Sequence, residues 1–237
     1  MVGRVIQFVR RRITGSPVHF LHIGKTGGSA IGAVLSPIAG AYNIVLQSHG
    51  TRLCDIPPDH RFFFFIRHPI PRFTSGFYSR LRRGRPRYDY EWSAAEAEAF
   101  SHFQKANDLA ESLSSSHPEV VERARAAMRN IYHVNSSYRN WFSGERELEE
   151  RHRSIVLIGL QEHLHEDFER LKSILHLPRR LSLPQDDVLA HRTPAEFDRR
   201  LTPLAIANLS AWYAEDIQFY EHCLELCGDV VARRRLG

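Results

Sequence analysis

Val18-His19-Phe20-Leu21-His22-Ile23-Gly24-Lys25-Thr26-Gly27-Gly28-Ser29 is the stretch on which the fold of this chain turns. Its first six residues are short, apolar and partly β-branched, the pattern of a buried strand, and they end in a glycine-rich turn. Ala30, Ile31, Ala33, Val34 and Leu35 then form a helical stripe that Pro37 terminates. The order is strand, phosphate-type loop, helix. Gly24, Gly27 and Gly28 let backbone N–H groups converge after a parallel strand, and the helix N-terminus adds its partial positive charge. Lys25 supplies a point charge, and Thr26 and Ser29 supply hydroxyl donors. Taken alone, the same residues also read as a tight strand-to-helix turn that happens to be rich in glycine.

Working outward, Asn43 to Gln47 reads as a second strand. Phe62-Phe63-Phe64-Phe65-Ile66 is a continuous apolar run of strand length, as expected of a central parallel strand covered on both faces. It stops at Arg67-His68-Pro69, where proline bars further ladder pairing and opens a helix carrying Phe73, Phe77, Tyr78 and Leu81. Helices are expected over 93–113 and 118–131. A strand at Ile155 to Leu160 should feed a helix over 161–175, and a last helix should run from Pro203 to Leu226 after a Pro- and Asp-rich connector at 178–194. Strands alternating with helices predict an α/β class: a P-loop-like three-layer fold around a central parallel sheet. The expected organisation is a basic tail at 1–16 and a single domain at 17–237. Residues 88–150 would form a helical insertion over the sheet's C-terminal edge, where ligands bind in open α/β folds.

Composition narrows the class. The 237 residues are 43% hydrophobic, 25% charged and 11% aromatic, which excludes a disordered, collagen-like or coiled-coil chain. No apolar run approaches the ~20 residues of a membrane-spanning helix, and the apolar part of Met1 to Arg12 is too short for a signal peptide. The expectation is a soluble, cytoplasmic protein without an integral membrane segment. Cys54, Cys223 and Cys227 are too few for a disulfide framework and complete no zinc site, so they read as ordinary buried thiols.

Charge is localised. Residues 61–87 hold eight arginines and no acid, which against a net charge of +5 leaves −3 for the rest of the chain. Such a patch is either a solvated face or an attractor of phosphorylated or polyanionic ligands. Only three of the 32 basic residues are lysines, namely Lys25, Lys105 and Lys172, so the one in the glycine loop stands out.

The Gly-Lys-Thr triplet suggests a nucleotide-triphosphatase or P-loop nucleotide kinase, but the spacing disagrees. A Walker A loop requires a glycine where this chain has His19, and the later strand leads into Arg67 and His68 where a magnesium-holding aspartate would stand. No metal site is expected. An anion loop without a magnesium ligand suits a phosphate-containing donor whose transferred group needs no metal.

Phe20-Leu21-His22-Ile23-Gly24-Lys25-Thr26-Gly27-Gly28-Ser29 resembles the 5′-phosphosulfate loop of the sulfotransferase superfamily, in particular the carbohydrate enzymes related to heparan sulfate 2-O-sulfotransferase, where the loop commonly reads His-Ile/Val-Pro-Lys-Thr-Gly-Gly-Thr. Their second hallmark, an arginine after a strand and a serine eight residues on, is similar to Phe65-Ile66-Arg67-His68-Pro69-Ile70-Pro71-Arg72-Phe73-Thr74-Ser75. Val156 to Leu164 and Tyr213-Ala214-Glu215-Asp216 extend a weaker likeness over most of the chain. Two residues depart from the pattern: Gly24 replaces the usual proline, and His68 replaces the usual aspartate.

The resemblance implies 3′-phosphoadenylyl sulfate as donor, adenosine 3′,5′-bisphosphate as product, and a carbohydrate or related hydroxylated acceptor. It maps Lys25, Thr26, Gly27, Gly28 and Ser29 onto the 5′-phosphosulfate site, with Lys25 also offsetting charge on the leaving oxygen. Arg67 and Ser75 map onto the 3′-phosphate site. A histidine between the two donor motifs serves as base in the related enzymes, which points to His49. His22 and His19 read as packed inside the strand, and His191 with Arg192 as residues that reach the donor or substrate. Arg80, Arg82, Arg83, Arg85 and Arg87 with Tyr88 and Tyr90 are either an acceptor wall or a solvated basic loop. A non-catalytic polyanion- or nucleic-acid-binding protein is the alternative function. No nucleic-acid-binding signature is visible, and nucleic acid is not an expected partner.

Overall fold

The computed structural model describes residues 15–186, 194 and 196–235. Most of the basic tail, and His191 and Arg192 in the late connector, lie outside the described residues. Strands β1 (Val18–Leu21), β2 (Ile44–Leu46), β3 (Arg61–Ile66) and β4 (Ile155–Leu160) form one sheet in the order β2-β1-β3-β4, with every pairing parallel.

Phe62 to Ile66 are fully buried because β3 lies between β1 and β4 and has a helical layer on each face. The pleat sends alternate residues to opposite sides. Phe62, Phe64 and Ile66 join Phe219, Tyr220 and Cys223 of the C-terminal helix, whereas Phe63 and Phe65 join Ala30, Ile31, Phe168 and Leu171 on the other face. Each such aromatic stabilises the fold by about 1.5–3 kcal/mol relative to an exposed position. Gly159 sits opposite Phe65 in the β3–β4 register, and a Cβ there would lie 2.3 Å from the Phe65 ring. The central strand can carry its phenylalanines only because its neighbour leaves that space.

The helices are α1 (Gly28–Leu35), α2 (Pro69–Leu81), α3 (Ala94–His102), α4 (Ala106–Ser112), α5 (Pro118–Asn130), α6 (Glu145–Glu150), α7 (Leu164–Ile174), α8 (Pro203–Trp212) and α9 (Ala214–Arg235). A third apolar cluster joins Phe73, Phe77 and Tyr78 of α2 to α3, α4, α5 and α8. Among the described residues no helix is long and apolar enough to cross a membrane.

Three boundaries differ from expectation. The first strand ends at Leu21, because Phe20 pairs with Leu46 of β2 and Leu21 with Phe64 of β3, and nothing pairs beyond. The helix expected over 93–113 breaks at Phe103, whose extended backbone turns its buried ring into the third cluster. The last helix is broken at Tyr213, which caps α8 and anchors its hydroxyl on the Val134 carbonyl at 2.7 Å.

The connection from β1 goes to one side of the sheet and the connection from β3 to the other. Their C-terminal ends therefore flank the switch point of the topology, the crevice where open α/β sheets bind ligands. The glycine loop follows β1 and Arg67 follows β3.

Candidate active site

A cleft of about 1800 Å³ opens at this switch point, lined by Lys25, Gly27, Gly28 and Ser29 from the loop, Arg67 and Ser75 from the β3–α2 segment, and His49 from the segment after β2. Single ligand sites usually measure ~300–1,000 Å³, so this cleft has room for two substrates side by side.

The loop is built for an anion. Helix α1 begins after Gly27, which has φ +87°, and no side chain caps it, so its first N–H groups are left for a ligand. Lys25 is itself in the left-handed region at φ +67°, a conformation that costs a non-glycine residue energy and is kept where the surroundings demand it. Burial, then the neighbouring Arg82 and Arg67, push its ammonium down to about 7. Thr26 behaves differently from Ser29: it is buried and donates its hydroxyl to the Ile23 carbonyl at 3.0 Å, closing the loop where a ligand donor was expected.

Two residues hold this loop from outside it. The Arg72 guanidinium, only 3% exposed, donates from Nε to the Gly24 carbonyl at 3.1 Å and meets Asp216 of α9 at 3.5 Å. Asp216 also accepts from the Ser137 hydroxyl and the Tyr138 N–H, so one carboxylate ties α9 to α2 and the 136–141 segment. Trp141 packs its ring over Gly24.

Arg67 is pinned through its backbone, whose N–H and carbonyl both meet the Tyr138 hydroxyl, at 3.0 and 2.5 Å. Its Nε is buried and has no hydrogen-bond partner among the described residues, and this atom, unlike the unbonded Nε of Arg151, belongs to a residue that lines the cleft, where an anionic oxygen would satisfy it. Ser75 lies on the second turn of α2 and faces the same cleft. His68 caps α2 by accepting the Ile70 N–H on Nδ1 at 3.3 Å. Burial lowers its pKa and favours the neutral ring that such an acceptor requires. The cap that an aspartate would make at this position is thus made by the histidine.

Three imidazoles gather beside Lys25. His22, expected to pack inside the strand, instead lies past its end and places its ring 3.8 Å from that of His49. Burial, then His49 and Arg87, push His22 down to about 3. Gly28 makes room for it: a Cβ there would lie 2.2 Å from the His22 ring. His49 opens to the cleft, yet desolvation lowers its pKa, against a hydrogen bond to the His22 backbone that raises it and Lys25 that lowers it further. His133, with φ +71°, also lines the cleft, and burial holds it well below the usual histidine value. All three are neutral at pH 7. His19 is elsewhere, buried and bonded to Gln47 and His60 at 2.7 and 2.9 Å, a packed residue as expected.

The arginine block is largely neutralised by its own neighbours. Arg80 makes a bidentate pair with buried Glu96 at 2.7 Å, Arg83 meets Glu91 at 2.9 Å, and Arg85 meets Asp89 at 2.5 Å. Tyr88, Tyr90 and Tyr132 line the cleft and keep 43%, 67% and 51% of their surface exposed, with the Arg80 guanidinium 5.3 Å over the Tyr90 ring and the His133 ring 4.3 Å from that of Tyr132.

The family model described as the sulfotransferase family matches residues 15–222. The chain belongs to the sulfotransferase family. No curated protein matches it at a significant level. The matched span includes both donor motifs, and membership makes the protein a transferase whose donor is 3′-phosphoadenylyl sulfate. The residues of this sulfotransferase fit that donor, since the uncapped α1 N-terminus with Lys25 suits one charged end and the unpartnered Arg67 Nε with Ser75 suits the other.

Sequence reasoning missed His22 as a cleft residue, His133, and the supports Arg72, Tyr138 and Trp141. Arg72 lies within the quoted second motif, but nothing in the chain distinguishes an arginine that holds a loop from one that faces solvent. His133 and Trp141 come from the helical region and had no local signal.

Proposed function

We propose that this sulfotransferase moves a sulfuryl group to a hydroxyl of a carbohydrate or related ring-shaped acceptor, with His49 as general base and Lys25 at the leaving oxygen. The observation that carries this reading is an exposed His49, with Lys25 near enough to act on its charge, in the cleft that Arg67 and Ser75 also line. The donor, when bound, supplies an activated sulfuryl group and a stable bisphosphate leaving group. His49 takes the acceptor proton as the new O–S bond forms, and the S–O bond to the 5′-phosphate breaks. Lys25, with the α1 N-terminus, offsets the negative charge that gathers on that phosphate oxygen. Arg67 and Ser75 hold the 3′-phosphate and thereby set the donor's position along the cleft.

Tyr88, Tyr90 and Tyr132, which keep exposed surface on the cleft wall, favour a ring-shaped acceptor, since a tyrosine ring packs on the apolar face of a sugar. The self-paired arginines weigh against the polyanion-binding alternative, because most of their charge is already matched by Glu91, Asp89 and Glu96.

The test is His49→Ala, read as bisphosphate release from the donor with a panel of neutral and acidic glycans. Turnover should fall by about 10²- to 10⁴-fold with bisphosphate affinity nearly unchanged. A variant that transfers at the parental rate would remove His49 from the mechanism.

A further inference from the structure

The segment that carries His49 is closed on itself by Ser48, Thr51 and Gln47 and meets the His22 backbone through its imidazole, and a further anchor comes from far along the chain. Trp141, 4% exposed, donates from Nε1 to the His49 carbonyl at 2.8 Å, and its own carbonyl accepts the Leu53 N–H at 2.8 Å. One residue thus grips both ends of the 49–53 turn. The same indole rests on the donor loop: its Cη2 lies 3.6 Å from where a Gly24 Cβ would stand. The Arg72 guanidinium, 5.4 Å from the indole centroid, completes the arrangement while it holds the Gly24 carbonyl. The segment bearing the imidazole and the loop bearing Lys25 are therefore referenced to a single rigid side chain.

We propose that Trp141 is a positioning residue for transfer, which fixes the distance between the His49 segment and the Lys25 loop through its indole N–H and its ring face. The inference rests on the reading of His49 as base. Its physical basis is the steep dependence of transfer on alignment, since a displacement of about 1 Å can cost about 100-fold in rate. A Trp141 that merely filled the core would influence stability and leave the imidazole's placement to other contacts.

Trp141→Phe keeps an aromatic ring and deletes the donor to His49. The expected result is a kcat lower by about 10- to 100-fold with the donor KM and bisphosphate Kd within about 2-fold of the parent. The decisive measurement is a double-mutant cycle. If Trp141 acts through His49, the combined His49→Ala and Trp141→Phe variant is no slower than His49→Ala alone. A Trp141→Phe enzyme with parental kcat, or a double variant in which the two losses multiply, overturns the proposal. Parental activity in His49→Ala would instead remove the base assignment and this inference with it, so the two failures are distinguishable. Benzothienylalanine introduced at position 141 keeps the bicyclic shape and replaces the N–H by sulfur. It applies the same criterion, a lower kcat at parental bisphosphate affinity, if the phenylalanine variant melts below the assay temperature.

Discussion

Arg72 and Gly24 are joined by a hydrogen bond of 3.1 Å from a guanidinium that is itself buried against Asp216. The helix that follows Arg67 thereby holds the glycine loop that carries Lys25 in place. Removing one partner of a buried ion pair leaves the other charge uncompensated, at about 3–5 kcal/mol. Arg72→Ala should therefore lower the midpoint of urea unfolding without changing its slope, and should weaken bisphosphate binding although Arg72 does not line the cleft. Parental affinity in a folded Arg72→Ala protein would show that the loop keeps its shape without this contact.

The buried Nε of Arg67 has no hydrogen-bond partner among the described residues, whereas the Nε of Arg72 is taken by the Gly24 carbonyl and a different atom, Nη2, is the one left unbonded. Arg67→Ala should leave the fold intact, because its backbone bonds to Tyr138 remain, and should lose the charge-assisted hydrogen bonds to the 3′-phosphate. At about 1.5–3 kcal/mol this is about 10- to 100-fold in bisphosphate affinity by calorimetry. Lys105→Ala, outside the cleft, is the control and should bind as the parent does. Equal losses in both variants would refute the 3′-phosphate assignment.

Lys25 makes binding pH-dependent. Burial and neighbouring arginines hold its pKa at about 7 in the unliganded protein, and an adjacent phosphate raises it, so binding takes up a proton. Above pH 7 the ligand phosphates are already largely dianionic, and bisphosphate affinity should fall as pH rises from 7 to 9. Calorimetry in buffers of different ionisation enthalpy should register proton uptake at pH 8, and Lys25→Met should abolish it. Lys25→Arg should not restore turnover, because the planar fork does not fit a point-charge position.

Gly28 and Gly159 separate site from scaffold. Gly28→Ala places a Cβ 2.2 Å from the His22 ring, and the ring must leave its position beside His49. That variant should lose turnover with a small change in stability. Gly159→Ala instead crowds Phe65 in the core at 2.3 Å and should cost about 1–3 kcal/mol by denaturant unfolding while preserving the bisphosphate affinity of the folded fraction. The reverse pattern would show that the two glycines have exchanged roles.

The four strands, the parallel sheet around Phe62 to Ile66, and the candidates Lys25, Arg67, Ser75 and His49, which the structure brings to one cleft, were legible in the chain. The reason is local: an apolar run long enough for a buried strand, a glycine turn and a proline-led helix are each specified by neighbouring residues. Pairing decided what those neighbours could not. The first strand stops at Leu21, whose pairing with Phe64 is the last that β1 makes while β3 runs on beside β4, and this turns His22 from a core residue into one that touches His49. Phe103 and Tyr213 break helices because the third cluster and the Val134 carbonyl offer them better places than a continued helix would.

The arginine block shows the same division from the side of charge. Eight like charges in 61–87 promised a basic surface, yet Glu96, Glu91 and Asp89 neutralise three of the five arginines at 80–87, and Arg72 is buried against Asp216. A sequence records which charges exist, whereas their effect depends on distance and burial. The chemical groups of this sulfotransferase were therefore determined by the chain itself. The tertiary structure alone decided which arginines line the cleft, which one holds a loop, and that a tryptophan from the helical region joins the His49 segment to the glycine loop, because those arrangements arise from contacts between segments that share no local pattern.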